Sequence, residues 1–189
     1  MRLSFALLSL AVLPLAGQSQ SPPSRELRDP AQNLAPFIAS PQPIVDRMLE
    51  LAGVKPGEVV YDLGCGDGRV LITAAQRFRA KGFGVELSNN LVRMTNEHVK
   101  RLNLEEQVQI KQGHLMDADL KYADVVALYL DTGSNEMLRP KLEKQLKAGA
   151  RVVSHDFEVR GWKPAKVEKM KAYNRTHTIF LYVMPPEKK

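Results

Sequence analysis

Cysteine is nearly missing from this chain. Cys65 is the only one among 189 residues, so no disulfide forms within the molecule, and a cysteine-based zinc site is disfavoured. The four histidines, His98, His114, His155 and His177, show no metal-ligand spacing and read mostly as polar loop or surface residues. No metal is expected. Aromatic residues amount to 6%, and the 27 lysines and arginines are scattered rather than blocked. A platform that interleaves basic and stacking side chains is therefore not evident, and no nucleic-acid partner is expected. No Asn-Pro-Pro-Tyr/Phe sequence, which would suit base amines, occurs. The net charge of +6 is mild and fits a solvated surface. The one sustained apolar run, Leu3 to Leu15, is too short for a comfortable membrane span.

That run sits in "MRLSFALLSLAVLPLAG", with Arg2 before it and the small residues Ala16 and Gly17 after it. This is the layout of a secretory signal peptide. Residues 1–17 are read as a signal peptide, with an uncleaved N-terminal anchor as the alternative. Cleavage implies export, periplasmic or secreted; otherwise the protein is cytoplasmic or membrane-anchored. Residues 18–35, "QSQSPPSRELRDPAQNLA", are polar and rich in proline and serine, and are expected to be a flexible linker. Residues 36–189 are enough for one α/β domain with a sizeable core.

Within that domain the apolar pattern is regular. Ser40 is expected to cap a helix that has Pro41 in its first turn and Ile44, Val45, Met48, Leu49 and Ala52 at helical spacing. A strand over Val59 to Leu63, a helix over Arg69 to Phe78 and a strand over "GFGVEL" follow. Ser88 then caps a helix bearing Leu91, Val92, Thr95, Val99 and Leu102. "QVQIKQG" and the almost wholly apolar "ADVVALYL" read as strands, Met137 to Leu146 as a helix, and "ARVVSHDF" as a fifth strand. "AKVEKMKAY" and "HTIFLYVM" suggest a closing antiparallel pair. Strands alternating with helices predict an α/β fold: a Rossmann-like, doubly wound, mostly parallel seven-stranded sheet with a C-terminal antiparallel hairpin and helices on both faces. Ligands of such sheets bind beyond the carboxyl ends of the strands.

"VVYDLGCGDGRV" lies at such an end. Gly64, Gly66 and Gly68 occupy the turn after the first strand, where a missing Cβ lets backbone lie against a ligand. The sixth position counted from Gly64 is Arg69, not glycine, which disfavours a pyrophosphate-binding turn, and no Gly-Lys-Ser/Thr follows, which removes a P-loop. Asp62 precedes the turn and argues against a phosphate and for a cationic or amine-bearing ligand. Glu86 ends the second strand, where a carboxylate can accept both ribose hydroxyls. A nucleoside with a free ribose, a charged or amino-bearing extension and no phosphate fits these needs, and S-adenosyl-L-methionine (SAM) has all three features. Cys65 reads as a small loop residue, and Asp67 as a cap for the helix near Arg69.

"VYDLGCGDGR" with "GVEL" resembles motifs I and II of the class I, seven-β-strand, SAM-dependent methyltransferases, from about Pro36 to the end. "PFIASPQPIVDRML", "LRPKL", "ARVVSHDF" and "WKP" are similar to a small branch of that superfamily. The branch includes the lysine methyltransferases of mitochondrial ATP synthase subunit c and of the adenine nucleotide translocase, with many bacterial relatives. The resemblance implies SAM as methyl donor and a protein substrate with a lysine acceptor, membrane-associated substrates included. Carried over by residue, Asp62, Gly64 and Gly66, with Cys65 between them, line the methionine part, while Glu86 and Leu87 lie at the ribose. His114 and Leu115 flank the adenine. Many relatives have an acid where His114 stands, and Asp117 is close enough to substitute. Tyr129, Asp131, Asn135, His155 and Asp156 lie at the tips of the fourth and fifth strands. Tyr129, Asp131, His155 and Asp156 are the candidate catalytic residues, and His155 with Asp156 matches the branch's "SHDF". In the branch, the segment holding Phe37 and Ser40 folds over the cofactor pocket. Trp162 is expected to close the last loop. A small-molecule methyltransferase and a catalytically silent nucleoside-binding module stay open as alternatives, and the oligomeric state is not readable.

Overall fold

Strand and helix alternate through most of the residues that the computed structural model describes, 38–189. The elements are α1 (Gln42–Leu51), β1 (Val59–Leu63), α2 (Arg69–Phe78), β2 (Lys81–Glu86), α3 (Asn89–Arg101) and β3 (Val108–Gln112). A 3₁₀ turn (Leu115–Asp117), β4 (Val125–Leu128), α4 (Thr132–Gln145) and β5 (Arg151–His155) come next. The chain closes with β6 (Trp162–Lys163), β7 (Lys166–Ala172), β8 (Arg175–Val183) and β9 (Glu187–Lys188). The expectations for residues 1–17, for the linker and for Phe37 lie outside the described residues.

One seven-stranded sheet runs in the order β3-β2-β1-β4-β5-β8-β7. The pairings from β3 through β5 are parallel, whereas β8 is antiparallel to both β5 and β7. This is the Rossmann-like sheet with a terminal antiparallel hairpin. A separate pair, β6 with β9, was not foreseen, because two-residue strands show no alternation to read.

Two apolar layers flank the sheet. On one face α1, α2 and α3 bury Ile44, Met48, Leu71, Ala74 and Val99 against Val60, Val125 and Val153. On the other, Leu138 and Leu142 of α4 pack with Val126, Leu128, Val152 and Tyr182. Trp162 completes this second layer: its indole N–H donates to Glu143 at 2.7 Å, and its ring meets Tyr182 edge-on. It thus packs the last loop rather than facing a ligand.

Helix starts explain the departures from the expected pattern. Ser88 caps α3 as foreseen, accepting from the Leu91 N–H. At α2 the cap is Gly68 in a left-handed conformation, while Asp67 accepts from the Arg69 N–H at 3.3 Å and pairs with its guanidinium. Helix α4 begins at Thr132 instead of Met137, because Asp131 caps it by accepting from the Ser134 N–H (3.0 Å) and hydroxyl (2.7 Å). Ser40 does not cap α1. Pro41 holds that place, with its carbonyl accepting from Ile44 and Val45, and the Ser40 hydroxyl is used elsewhere.

Candidate active site

Five strands present one polar side chain each at the carboxyl edge of the sheet, all toward the face that α1 covers. Tyr61, Leu63, Val85, Val126, Leu128 and Val152 pack on the α4 face. Period-two alternation therefore turns Glu86 of β2, Asp62 of β1, Tyr129 just past β4, His155 of β5 and His177 of β8 the other way. Neighbouring strands lie about 4.8 Å apart, so the row spans roughly 19 Å. Strand β8 runs antiparallel and so begins at this edge, where the Asp156 N–H donates to the Thr178 carbonyl at 2.7 Å.

Asp62 and Glu86 form one half of the row. Asp62 is 7% exposed, and its carboxylate has no hydrogen bond or ion pair among the described residues. Burial, reinforced by the charges of Asp67 and Glu86, pushes its pKa up to about 7. Glu86 accepts from the Gly66 N–H at 3.1 Å with one oxygen and from the Ser88 N–H at 2.8 Å with the other. A carboxylate has about four lone-pair sites, so it keeps capacity for two hydroxyl donors. The turn between them is built for backbone exposure. Gly64 has φ +85, which a side chain would strain, and its N–H is tied to the Val85 carbonyl at 2.8 Å. Gly68 serves packing instead: a Cβ there would lie 2.5 Å from Thr95 Cγ2. The Thr95 hydroxyl in turn donates to the Gly66 carbonyl, which fastens α3 beneath the loop.

Cys65 departs from its expected place beside the ligand. Its sulfur packs toward Leu71, Gly84 and Ile110 in the core, and burial raises its thiol pKa, so only its backbone faces the turn. At the tip of β3, His114 Nδ1 accepts from the Met116 N–H at 3.2 Å, which places the ring proton of the neutral form on Nε2 and presents a donor. Leu115 is buried beneath it, Leu87 is exposed beside Glu86, and Asp117 points to solvent.

The other half of the row is a buried polar chain that joins the expected Tyr129, His155 and Asp156 to Ser40 and His177. His155, a candidate catalytic residue, is 0% exposed, and His177 is 3% exposed, which corrects its reading as a loop or surface histidine. The Ser40 hydroxyl lies 2.8 Å from His155 Nδ1, and His155 Nε2 lies 2.8 Å from His177 Nδ1. Asp156 Oδ2 is 3.1 Å from that His177 nitrogen and 3.3 Å from His155 Nε2, and it also pairs with the Arg175 guanidinium. The other carboxylate oxygen accepts from the Thr178 N–H at 2.8 Å. Burial lowers the His155 pKa to about 4, against the pull of Asp156. Burial alone would raise Asp156, but the Thr178 N–H and its charged neighbours hold it below its usual value. The Tyr129 ring stacks on His155 with centroids 4.0 Å apart. His155, Asp156 and His177 thus come within ligand distance of one another in space although their sequence spacing is not that of a metal motif. The hydrogen bonds and Arg175 account for the contacting atoms.

Asp131 is not part of this chain. Both of its oxygens serve the α4 cap, and the Ser134 hydroxyl holds its pKa down. Asn135 ties the two strand tips together, donating toward the carbonyls of Leu130 and Phe157. Ser40 couples the halves: its carbonyl accepts from Arg69, the first residue of α2 after the glycine turn, at 2.7 Å, while its hydroxyl meets His155. Ser40 and His177 are the residues that sequence reasoning missed.

Residues 62–166 match the family described as the ANTKMT methyltransferase domain. The chain is 45% identical over 154 residues to a protein-lysine N-methyltransferase of Saccharolobus islandicus, covering 81% of this chain and 96% of that one. It is 31% identical to the mouse adenine nucleotide translocase lysine N-methyltransferase, across 74% of this chain and 61% of that one. Among solved structures, an RNA methyltransferase from Salinibacter ruber in complex with S-adenosyl-L-homocysteine superposes with a TM-score of 0.74 at 40% identity, covering 80% of this chain and 97% of that one. Asp62 fits such a ligand by its own setting, as a buried carboxylate without a partner among the described residues, beside a glycine-rich turn. The chain belongs to the ANTKMT methyltransferase domain family.

Proposed function

We propose that this SAM-dependent methyltransferase methylates the side-chain amine of a protein lysine. The observation that carries the reading is the 45% identity to a protein-lysine N-methyltransferase over 96% of that protein's length. Held along Glu86 and Asp62, SAM would supply a methyl group on a sulfonium, which a neutral lysine amine would take in line as the carbon–sulfur bond breaks, S-adenosyl-L-homocysteine leaving and the amine's proton passing to solvent. The chain's own residues then bind, orient and exclude water. Glu86 receives the ribose hydroxyls, Asp62 the amino-acid ammonium, and Leu87 with His114 the base. Tyr129 stands at the join between the two halves, its ring fixed by the stack on His155.

A second reading takes RNA as the acceptor. It is favoured by the 40% identity to the RNA methyltransferase of Salinibacter ruber and disfavoured by scattered rather than blocked basic residues. Incubating the protein with isotopically labelled SAM and, separately, with whole-cell protein and total RNA tests the choice. Label on protein lysines is expected. Label on RNA alone, or on small molecules alone, overturns the lysine reading, and no labelling with intact SAM binding supports a silent binding module. The leader is proposed to direct export or to hold the enzyme at a membrane. Mass spectrometry of the mature N-terminus tests this, with a start near Gln18 for cleavage and Met1 retained against it.

A further inference from the structure

We infer that the acceptor lysine enters a pocket between the segment before α1 and the β7–β8 turn, and that its ammonium meets Asp156 by displacing Arg175. The inference rests on the lysine reading above and names the subsite that serves it. The pocket has a volume of about 330 Å³ and is lined by Ile38, Pro41, Tyr129, Tyr173, Arg175 and His177 among others. It opens at the ligand edge of the sheet, because β7 ends and β8 begins there. Tyr129 is shared between this pocket and the row of donor-side groups, so a side chain entering here approaches the reacting end of the donor.

The shape and charge suit a long apolar stem with a cation at its tip. Ile38, Ala39, Pro41, Ala172 and the rings of Tyr129 and Tyr173 give it a largely apolar wall, which accommodates four methylenes, beside the polar Asn174, Arg175 and His177. Two of its lining residues, Arg175 and His177, contact Asp156, which is held by the Thr178 N–H and faces a neutral His155. Arg175 is the cation that balances it, yet its side chain is 61% exposed while that of Asp156 is 11% exposed. The pair is thus an anion built into the fold and a cation lent from a surface turn. A lysine ammonium that replaces the guanidinium conserves the charge of the cluster and gains the Tyr129 ring face. Two exposed apolar side chains, Ile38 at 63% and Tyr173 at 79%, stand at the mouth, where they can grip the surface around the target lysine.

The probe is poly-L-lysine with labelled SAM, each variant first titrated with SAM by calorimetry to show that the donor half is intact. Arg175→Met removes the resident cation and is expected to lower the KM for poly-L-lysine, up to about fivefold for a partly exposed ion pair, with kcat little changed. Asp156→Asn is expected to raise that KM about tenfold or more. Tyr173→Ala, an exposed position whose loss cannot unfold the core, raises KM without touching SAM affinity. A KM that stays level or rises in Arg175→Met, with SAM affinity intact, overturns the pocket and leaves the lysine reading standing. If the wild type binds SAM but labels lysine neither in poly-L-lysine nor in whole-cell protein, the lysine reading fails and the pocket assignment falls with it.

Discussion

Replacing Asp62 by asparagine is expected to strengthen the fold and weaken the enzyme. The Asp62 carboxyl is buried with no hydrogen-bond or ion-pair partner among the described residues, and its pKa rises from 3.8 to about 7 through desolvation, with Asp67 and Glu86 adding to the effect. Between these two values the folded chain holds a proton that the unfolded chain has released. Stability therefore falls as the pH climbs through that window. The contribution of the neutral acid is whole below the unfolded value and gone above about 7. A shift of about three units corresponds to about 4 kcal/mol. An amide does not titrate, so the variant is expected to exceed the wild type by up to about 4 kcal/mol at pH 8, with the gap closing near pH 4. Urea unfolding across that range measures it. Calorimetry with SAM supplies the opposite sign: wild-type affinity rises with pH and levels above about 7, and the variant binds far more weakly. A stability gap of the same size at both pH extremes, or no loss of affinity, refutes the reasoning.

Other expectations follow from single contacts. Gly68→Ala places a Cβ 2.5 Å from Thr95 Cγ2 at a left-handed φ, and is expected to cost about 1–3 kcal/mol in denaturant unfolding; a neutral result would mean that α3 does not pack as described. Cys65 is buried with a raised thiol pKa, so it should resist thiol reagents in the native state and react freely in urea; fast native labelling counts against its core position. Ser40→Ala removes the partner of His155 Nδ1 while leaving the α1 cap in place, so it is expected to reduce kcat with little change in SAM affinity or helix content; loss of helicity would restore the capping role. A free lysine titrates near 10.4, and only its neutral amine accepts the methyl, so kcat/KM is expected to rise about tenfold per unit between pH 7 and pH 9; a plateau from pH 7 would reveal an internal base.

What the sequence disclosed, and what it hid, divides along sequence distance. The bounds of β1 and α2 were legible because apolar runs, glycine and helical periodicity are local signals. So were Asp62 and Glu86: each ends a readable strand, and the glycine turn between them implies a ligand. The acceptor half was legible only in part: Tyr129, His155 and Asp156 were named, but not their partners. Ser40 meets His155 across 115 residues, and His177 reaches Asp156 only through the antiparallel register of β8 on β5. Periodicity carries no record of such pairing, so the buried His177 looked like a surface residue. Asp131 shows the opposite error. An acid at a strand tip reads as chemistry, yet three residues on stands the Ser134 N–H that it caps, and the helix starts there.

A crystal structure of the full chain with S-adenosyl-L-homocysteine bound tests the central claim most directly. The ligand's ammonium is expected within hydrogen-bond distance of the Asp62 carboxylate, its ribose hydroxyls on Glu86, and its sulfur toward Tyr129. A nucleoside seated elsewhere, or found here with both carboxylates out of reach, would contradict it.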